Sequence, residues 1–277
     1  MIAPYYRDET ITLYQGDAWE LSRTLDDESI NAIVTSPPYW KQRDYGTPGQ
    51  WGQEATIGQY VDRLTYMFAT LKDKLTDDGV LWINLGDKRL DGQLVGAPWM
   101  VAKALQDDGW RLITELIWHK PNGMPESVQD RVSVQHEHVF MLTKSRDHYF
   151  NLDPLRVVYD GDRSPSRRAR SGNANKSNTA KGKWSGQHEG RNPGSVWSIS
   201  TQPFSGSHTA PMPEVLAMKL VESACPPGGV VLDTFHGSGT TGAAAQRLGR
   251  KYVGFEISSD YLELSLATRL KDAVLPF

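Results

Sequence analysis

The apolar positions of this 277-residue chain follow two repeating patterns, which predict alternating strands and helices. Short apolar runs bounded by polar residues or glycine predict strands over 11–14, 30–35, 80–85, 111–118, 139–143, 230–233 and 251–255. Apolar residues at helical spacing predict helices over 18–25, 60–75, 98–106, 212–224, 243–248 and 260–270. Elements that alternate in this way predict one large α/β domain.

Composition narrows the class of protein without indicating a function. The net charge is −3, so any basic surface must be local. Cys225 is the single cysteine, which excludes a disulfide framework and a cysteine-based metal site, and the scattered histidines predict no metal site. No apolar run approaches the length of a transmembrane helix, and the N-terminus lacks a signal-peptide pattern, so we expect a cytosolic chain.

One segment, residues 151–205, differs in kind from the rest. It holds nine Lys or Arg against four Asp or Glu, among Ser, Gly and Asn, with two tryptophans set between the charges. A segment of this composition is either a solvated insertion or an arm that grips a phosphate backbone. For the second interpretation the predicted DNA contacts are Arg163, Arg167, Arg168, Arg170, Lys181 and Lys183.

The proline bend, Thr35-Ser36-Pro37-Pro38-Tyr39-Trp40, directly follows the predicted strand over 30–35. Two consecutive prolines end that strand, and open α/β sheets place their chemistry at such strand ends. The Ser36 hydroxyl and the Pro37 carbonyl are suited to accept the two protons of an exocyclic amine. The Tyr39 ring is suited to stack on the base that carries the amine. Residues 40–58 then form a long loop, and such loops beside active sites are usually functional.

The glycine-rich loop, Asp233-Thr234-Phe235-His236-Gly237-Ser238-Gly239-Thr240-Thr241-Gly242, joins a predicted strand to a predicted helix. Glu256 lies 19 residues past Gly237, where an acid typically accepts hydrogen bonds from ribose hydroxyls. This spacing predicts a nucleotide-type ligand, and NAD also fits it. Only 21 residues follow Glu256, enough for one helix, so the third strand of this half must come from elsewhere in the chain. The N-terminal strand that ends at Gly16-Asp17 can supply it, which predicts a circularly permuted sheet.

Together these motifs resemble the beta class of DNA amino-methyltransferases. Ser36-Pro37-Pro38-Tyr39 is similar to the catalytic motif of that family, and the glycine-rich loop to its cofactor motif. Further stretches that look familial are Tyr45-Gly46, Trp51–Glu54, Asn84–Asp87, Trp118–Asn122, Glu137 and His208–Pro213. The resemblance implies a circularly permuted Rossmann-like methyltransferase sheet with helices on both faces. It assigns residues 1–150 and 206–277 to the catalytic domain and 151–205 to an inserted target-recognition region.

The resemblance also implies the reaction, which is methyl transfer from S-adenosylmethionine to an exocyclic base amine in DNA. The implied catalytic residues are Ser36, Pro37, Pro38 and Tyr39, with Tyr39 stacking on a flipped base. The implied cofactor residues are Asp17, Asp233, Phe235, Gly237, Ser238, Gly239, Thr240 and Glu256. Of these, Phe235 to Thr240 would surround the methionine, Glu256 would bind the ribose, and Asp17 would meet the adenine.

Serine in the first motif position favours N4 of cytosine in the resembled family, with N6 of adenine as the alternative. The expected partners are double-stranded DNA and a companion restriction nuclease, and the expected state is a monomer or weak dimer in a prokaryotic or phage-infected cytoplasm. Two departures are His236, where the family varies, and Asn84, where some relatives have an acid. Asn84 therefore leaves open which group accepts a proton near Ser36.

Three other functions each fit the sequence less well than DNA amino-methylation. An NAD-dependent oxidoreductase leaves the proline bend unexplained, and a non-catalytic DNA-binding module leaves both motifs without a use. A ring-carbon cytosine methyltransferase needs a nucleophilic cysteine that follows a proline, whereas Cys225 precedes Pro226.

Overall fold

The computed structural model describes residues 2–124, 126–158, 190–201 and 212–270. The strands are β1 Tyr6–Arg7, β2 Ile11–Gln15, β3 Ile30–Thr35, β4 Leu75–Leu85, β5 Arg89–Leu90, β6 Gln93–Leu94, β7 Arg111–His119, β8 His136–Thr143, β9 Val196–Ser198, β10 Val230–Asp233 and β11 Lys251–Glu256. The helices are α1 Ala18–Ser22, α2 Ile57–Lys74, α3 Ala97–Asp107, α4 Glu214–Ala224, α5 Thr240–Arg247 and α6 Ser259–Ala267, with a short 3₁₀ helix at Asp153–Leu155.

Nine of these strands form one sheet in the order β1-β2-β11-β10-β3-β4-β8-β7-β9, while β5 and β6 form a separate hairpin. Within the nine, β1 and β8 run antiparallel to their neighbours and the others run parallel to one another. The N-terminal strand β2 lies beside the late strand β11, with Gln15 opposite Glu256. This pairing confirms the predicted circular permutation.

Both faces of the sheet are covered by helices. Along β3, Ala32 and Val34 face the core that contains α4 and α5, whereas Ile33 faces the core that contains α2 and α3. A register shift between Ile30 and Ala32 places Ile30 on the same face as Ile33. Successive side chains of a strand point to opposite faces, so a strand buried on both faces is apolar throughout. The fold is therefore the predicted α/β class, a Rossmann-like sheet dominated by parallel strands.

Several elements differ from the sequence prediction at their ends. Helix α2 begins at Ile57 and not at residue 60, because Thr56 and Gln59 form a capping box that satisfies the first backbone N–H groups. Helix α5 begins at Thr240 and not at residue 243, directly after Gly239, whose φ of +82° turns the chain into the helix. The β5–β6 hairpin was not predicted.

A further difference lies inside the predicted insertion 151–205. Val196–Ser198 forms the edge strand β9, which pairs in parallel with β7 and buries Trp197. The described part of this segment over 190–201 therefore contributes to the sheet, and the division into domains stays a prediction. The six predicted DNA contacts between Arg163 and Lys183 lie outside the described residues. Among the helices that are described, none is long and apolar enough to cross a membrane.

Candidate active site

The proline bend and the glycine-rich loop leave adjacent parallel strands, β3 and β10, at the same edge of the sheet. Thr35 Oγ1 donates a 2.7 Å hydrogen bond to Asp233 Oδ1 and lies 3.1 Å from Thr234 Oγ1. The same Asp233 oxygen accepts from the Phe235 N–H at 3.0 Å. Burial raises the pKa of Asp233. This buried contact ties the two motifs together at the carboxyl ends of their strands.

A cavity of about 270 Å³ opens between the two motifs. It is lined by all four predicted catalytic residues and by seven of the eight predicted cofactor residues. The seven are Asp17, Asp233, Phe235, Gly237, Ser238, Thr240 and Glu256. The eighth, Gly239, does not line the cavity, and an added Cβ at this position would come within 3.0 Å of the Ser265 Cβ. The structure thus brings the two predicted sets of residues to one cavity.

Polar side chains from three other segments converge on the proline bend. Tyr39 Oη donates to Glu137 Oε2 at 2.6 Å and lies 3.2 Å from Ser36 Oγ. Asn84 Nδ2 lies 2.7 Å from Glu137 Oε2 and 2.9 Å from Tyr39 Oη. Lys120 Nζ forms an ion pair with the other Glu137 oxygen. Burial, together with the Glu137 charge, raises the pKa of Tyr39 well above its ordinary value.

This polar cluster follows from strand register. Asn84 of β4 lies opposite Val139 of β8, and Glu137 is two residues from Val139, so both side chains share one face of the sheet. Lys120 follows β7, whose Trp118 lies opposite Glu137. The sequence marked Asn84, Lys120 and Glu137 as familial without giving them roles.

Two glycines shape the bend around Tyr39. A Cβ at Gly86 would come within 2.6 Å of Tyr39 Cε2, so the ring packs directly on the Gly86 backbone. A Cβ at Gly52, whose φ is +86°, would come within 3.0 Å of the Tyr39 carbonyl oxygen. The Gly52 carbonyl accepts from the Lys41 N–H at 2.7 Å. The loop over 40–58 therefore supports the bend from outside.

Glu256 holds the glycine-rich loop by its backbone. Its two carboxylate oxygens accept from the N–H groups of Gly237 at 2.8 Å and Ser258 at 3.0 Å. Burial raises the pKa of this carboxyl. By contrast, Ser238 Oγ and Thr240 Oγ1 are buried in the cavity wall and have no hydrogen-bond partner among the described residues. Buried hydroxyls without a partner indicate a polar ligand at this position.

His236, which occupies a position where the family varies, supports the glycine-rich loop through hydrogen bonds at both of its ring nitrogens. Ser265 Oγ donates to the Leu262 carbonyl at 2.8 Å, so it accepts the proton on His236 Nε2 at 2.7 Å. The other ring nitrogen, Nδ1, then accepts from Tyr252 Oη at 2.8 Å. Burial lowers the pKa of His236 to about 3, which keeps the ring neutral. The histidine acts as a structural support and its ring nitrogens are both occupied by protein groups.

Asp17 lines the cavity, but its carboxylate is already used by the protein. One oxygen caps α1 through the N–H groups of Trp19 and Glu20. The other accepts from Trp51 Nε1 at 2.8 Å and from Arg63 Nη2 at 3.0 Å. The predicted contact of Asp17 with adenine stays a prediction.

Trp51 is a cavity residue to which the sequence assigned no role. Its ring meets the edge of Phe235 at a centroid distance of 5.3 Å, and the Arg63 guanidinium lies 4.0 Å above it. The Asp17 carboxylate therefore positions an aromatic wall beside the glycine-rich loop. The signal available in the sequence was an aromatic residue within a long glycine-containing loop next to the bend.

Cys225 is buried at the end of α4, and it does not line the cavity. Burial raises the pKa of its thiol to about 12. A thiol in this environment is not a nucleophile near neutral pH, which agrees with the rejection of ring-carbon chemistry.

Comparison with known proteins identifies the relatives of this architecture. The Type II methyltransferase M.Cfr9I of Citrobacter freundii is 36% identical over 284 residues, covering 92% of this chain and 86% of the relative. The PvuII DNA methyltransferase (cytosine-N4-specific) shares the fold with a TM-score of 0.75 at 22% identity, covering 99% and 91% of the two chains. A provisionally assigned DNA modification methylase from Thermus thermophilus, solved in complex with S-adenosyl-L-methionine, has a TM-score of 0.63 at 25% identity and covers 96% of both chains.

A family profile agrees with these relatives. The N6/N4 profile, described as DNA methylase, matches residues 30–267 and therefore most of the chain. The family depends on S-adenosylmethionine, which confirms the predicted cofactor and removes the NAD alternative. The resemblance in the two motifs is also confirmed: this chain is a DNA amino-methyltransferase and belongs to the N6/N4 DNA methylase family.

Proposed function

We propose that this enzyme methylates the exocyclic N4 amine of cytosine within a specific site in double-stranded DNA. The observation that carries the proposal is the position of the Ser36 hydroxyl, which lines the same cavity as the glycine-rich loop. An acceptor for an amine and a loop for the methyl donor therefore face one another across a single space. Close approach of two oriented reactants supplies much of the rate of such a transfer.

The residues of the glycine-rich loop fit S-adenosylmethionine. Ser238 Oγ and Thr240 Oγ1 are buried hydroxyls without a partner among the described residues, and they would bind the carboxylate and ammonium groups of the cofactor. Phe235 and Trp51 form an aromatic wall, and Glu256 has lone pairs left for ribose hydroxyls. When bound, the cofactor supplies an electrophilic methyl group on a positively charged sulfur.

The proline bend would make the base amine reactive. The lone pair of an exocyclic amine is delocalised into the ring, so acceptors that bind both amine protons favour the tetrahedral nitrogen needed for attack. Ser36 Oγ and the Pro37 carbonyl are these acceptors in our proposal. The Tyr39 ring, which packs on Gly86, would stack on the flipped base.

The choice of cytosine over adenine rests on the neutral hydroxyl of Ser36, where many adenine-specific relatives carry aspartate. We expect DNA from cells that express this enzyme to contain N4-methylcytosine. Digestion of that DNA to nucleosides and separation by mass spectrometry measures both products. N6-methyladenine without N4-methylcytosine would show that the target base is wrong while leaving the assigned reaction intact.

The basic segment is proposed as the DNA-binding arm. We expect replacement of Arg167, Arg168 and Arg170 by alanine to weaken DNA binding and to reduce its salt dependence, with unchanged affinity for the cofactor. Binding titrations at several salt concentrations measure both the affinity and the slope.

A matched control removes three positive charges at the opposite edge of the sheet. Arg111 and Lys251 start β7 and β11, and Arg146 follows β8; all three are exposed at that edge. Their alanine variant should bind DNA like the wild type. If the variant at Arg167, Arg168 and Arg170 has the DNA affinity and salt dependence of the wild type, the basic segment is a solvated insertion and does not bind DNA. The cytoplasmic location, the companion nuclease and the monomeric or weakly dimeric state stay predictions.

A further inference from the structure

Three oxygen atoms form a directed chain from the cavity to a carboxylate. Tyr39 has a single hydroxyl proton, and it donates that proton to Glu137 Oε2 at 2.6 Å. The 3.2 Å contact between Ser36 Oγ and Tyr39 Oη must therefore be donated by Ser36. Its own proton is turned toward Tyr39 and Asn84 Nδ2 lies 3.4 Å away, so Ser36 Oγ keeps one lone pair for the cavity that it lines. Every hydrogen bond in this chain points from the cavity toward Glu137.

We propose that Glu137 is the final acceptor of the proton that the base amine releases, and that the proton arrives through Ser36 and Tyr39. This inference rests on the proposed function. In the step, a bond forms between the amine nitrogen and the methyl carbon while the carbon–sulfur bond breaks and its electron pair stays on sulfur. The amine proton moves to Ser36 Oγ, the Ser36 proton moves to Tyr39 Oη, and the Tyr39 proton moves to Glu137 Oε2. Ser36 and Tyr39 end with the protons they need, and Glu137 ends as a neutral acid.

The other acids of the cavity lack this connection. Asp17 already accepts four hydrogen bonds from Trp19, Glu20, Trp51 and Arg63. Asp233 accepts from Thr35 and from the Phe235 N–H, and neither bond joins it to Ser36. Glu256 accepts two backbone N–H groups on the cofactor side of the cavity. Among the described carboxylates that line the cavity, Glu137 is the one joined to Ser36 through a hydrogen-bonded hydroxyl.

The surroundings of Glu137 suit an acceptor that works from a distance. Lys120 Nζ pairs with Glu137 Oε1, which leaves Oε2 for Tyr39 and Asn84. Burial raises the pKa of Tyr39 well above its ordinary value, so the phenol does not ionise by itself. It does not need to, because in a relay it loses one proton as it gains another.

Because Asn84 is an amide, it cannot take the proton that an acid at this position would accept. The hydrogen bonds around it identify Glu137 as the group that takes the proton instead. Asn84 Nδ2 donates to both Glu137 Oε2 and Tyr39 Oη, so the amide holds the last two members of the chain together. The carboxylate that some relatives place at this strand end is provided here by Glu137, which reaches the bend from β8 through Tyr39.

The test compares Glu137→Gln, Tyr39→Phe and the double variant in single-turnover methyl transfer to DNA, with saturating cofactor. We expect each single variant to slow transfer by roughly tenfold or more, since a positioned acid–base group typically contributes at least that much. The double variant should be no slower than the slower single variant, because both changes interrupt one relay.

The wild-type rate should fall in deuterium oxide, and the variants should lose that solvent isotope effect. Glu115→Gln, a matched change at a glutamate that pairs with His138, should leave rate and isotope effect unchanged.

The outcomes separate the relay from the proposed function. No methyl transfer to DNA by the wild type would overturn the proposed function itself. If the wild type methylates DNA and Glu137→Gln keeps both its rate and its isotope effect, the relay is wrong. A slow Tyr39→Phe variant beside a fully active Glu137→Gln variant would equally overturn it, since the proton would then leave by another route. Cofactor binding by each variant shows whether that variant is folded. If Glu137→Gln does not fold, Tyr39→Phe still tests the relay, because it preserves the ring that packs on Gly86.

Discussion

Ser36→Ala should bind S-adenosylmethionine as tightly as the wild type and transfer methyl groups at about one hundredth of the wild-type rate or less. The hydroxyl lies on the proline bend, 3.2 Å from Tyr39 Oη, and it makes no contact with the Glu256 carboxylate that supports the cofactor loop. Its loss removes an acceptor that acts on the amine in the transition state. Single-turnover transfer to DNA measures the rate, and calorimetric titration of the free enzyme measures cofactor affinity.

A serine at the other end of the same strand provides the control. Ser29 precedes β3 and donates to the Asp26 carbonyl at 2.7 Å in an exposed turn. Ser29→Ala should keep wild-type transfer and wild-type cofactor affinity. An unchanged transfer rate in Ser36→Ala would contradict the role of the hydroxyl as an acceptor for the base amine. A loss of cofactor affinity in the same variant would show that Ser36 acts on the cofactor and not on the base.

Much of the fold could be predicted because its determinants are local. The strands of this sheet are short apolar runs that end in polar groups, and β3 and β10 appear at their predicted positions. The placement of β2 beside β11 required only a count of the residues that remain after Glu256. Both motifs lie at strand ends, where the rule for open α/β sheets places a site.

The parts that could not be predicted depend on contacts between distant segments. The Tyr39–Glu137 hydrogen bond joins residues 98 positions apart, and it exists only because β8 runs antiparallel between β4 and β7. No local pattern gives the register of those strands. The edge strand β9 has three residues with one buried side chain, Trp197, so its apolar signal is too short to separate it from the polar segment around it.

The β5–β6 hairpin did have a local signal. Asp91-Gly92, with φ values of +49° and +80°, forms the tight turn that favours this dipeptide between two strands. Each flanking strand has only two residues, and the leucines at positions 90 and 94 remain exposed, so no alternation of apolar and polar residues accompanies the turn.

Glu256→Ala should weaken S-adenosylmethionine binding by roughly a hundredfold. The carboxylate holds the Gly237 N–H at 2.8 Å and the Ser258 N–H at 3.0 Å, so its removal frees the middle of the glycine-rich loop and the residue at the N-cap of α6. In our proposal it also accepts from the ribose. Hydrogen bonds to a charged group contribute about 1.5–3 kcal/mol each, and a loss of about 3 kcal/mol corresponds to roughly a hundredfold in affinity.

Two comparison variants make this result specific to the loop. Glu256→Gln keeps one acceptor oxygen for the backbone but presents an amide N–H where the other oxygen stood, so its affinity should lie between those of alanine and the wild type. Glu20→Ala removes an exposed glutamate that pairs only at 3.5 Å with Arg23, and it should leave cofactor affinity unchanged. DNA affinity measured without cofactor should be the same in all four proteins. Wild-type cofactor affinity in Glu256→Ala would show that the methyl donor does not rest on this acid, and the orientation proposed for it in the cavity would then have to be abandoned.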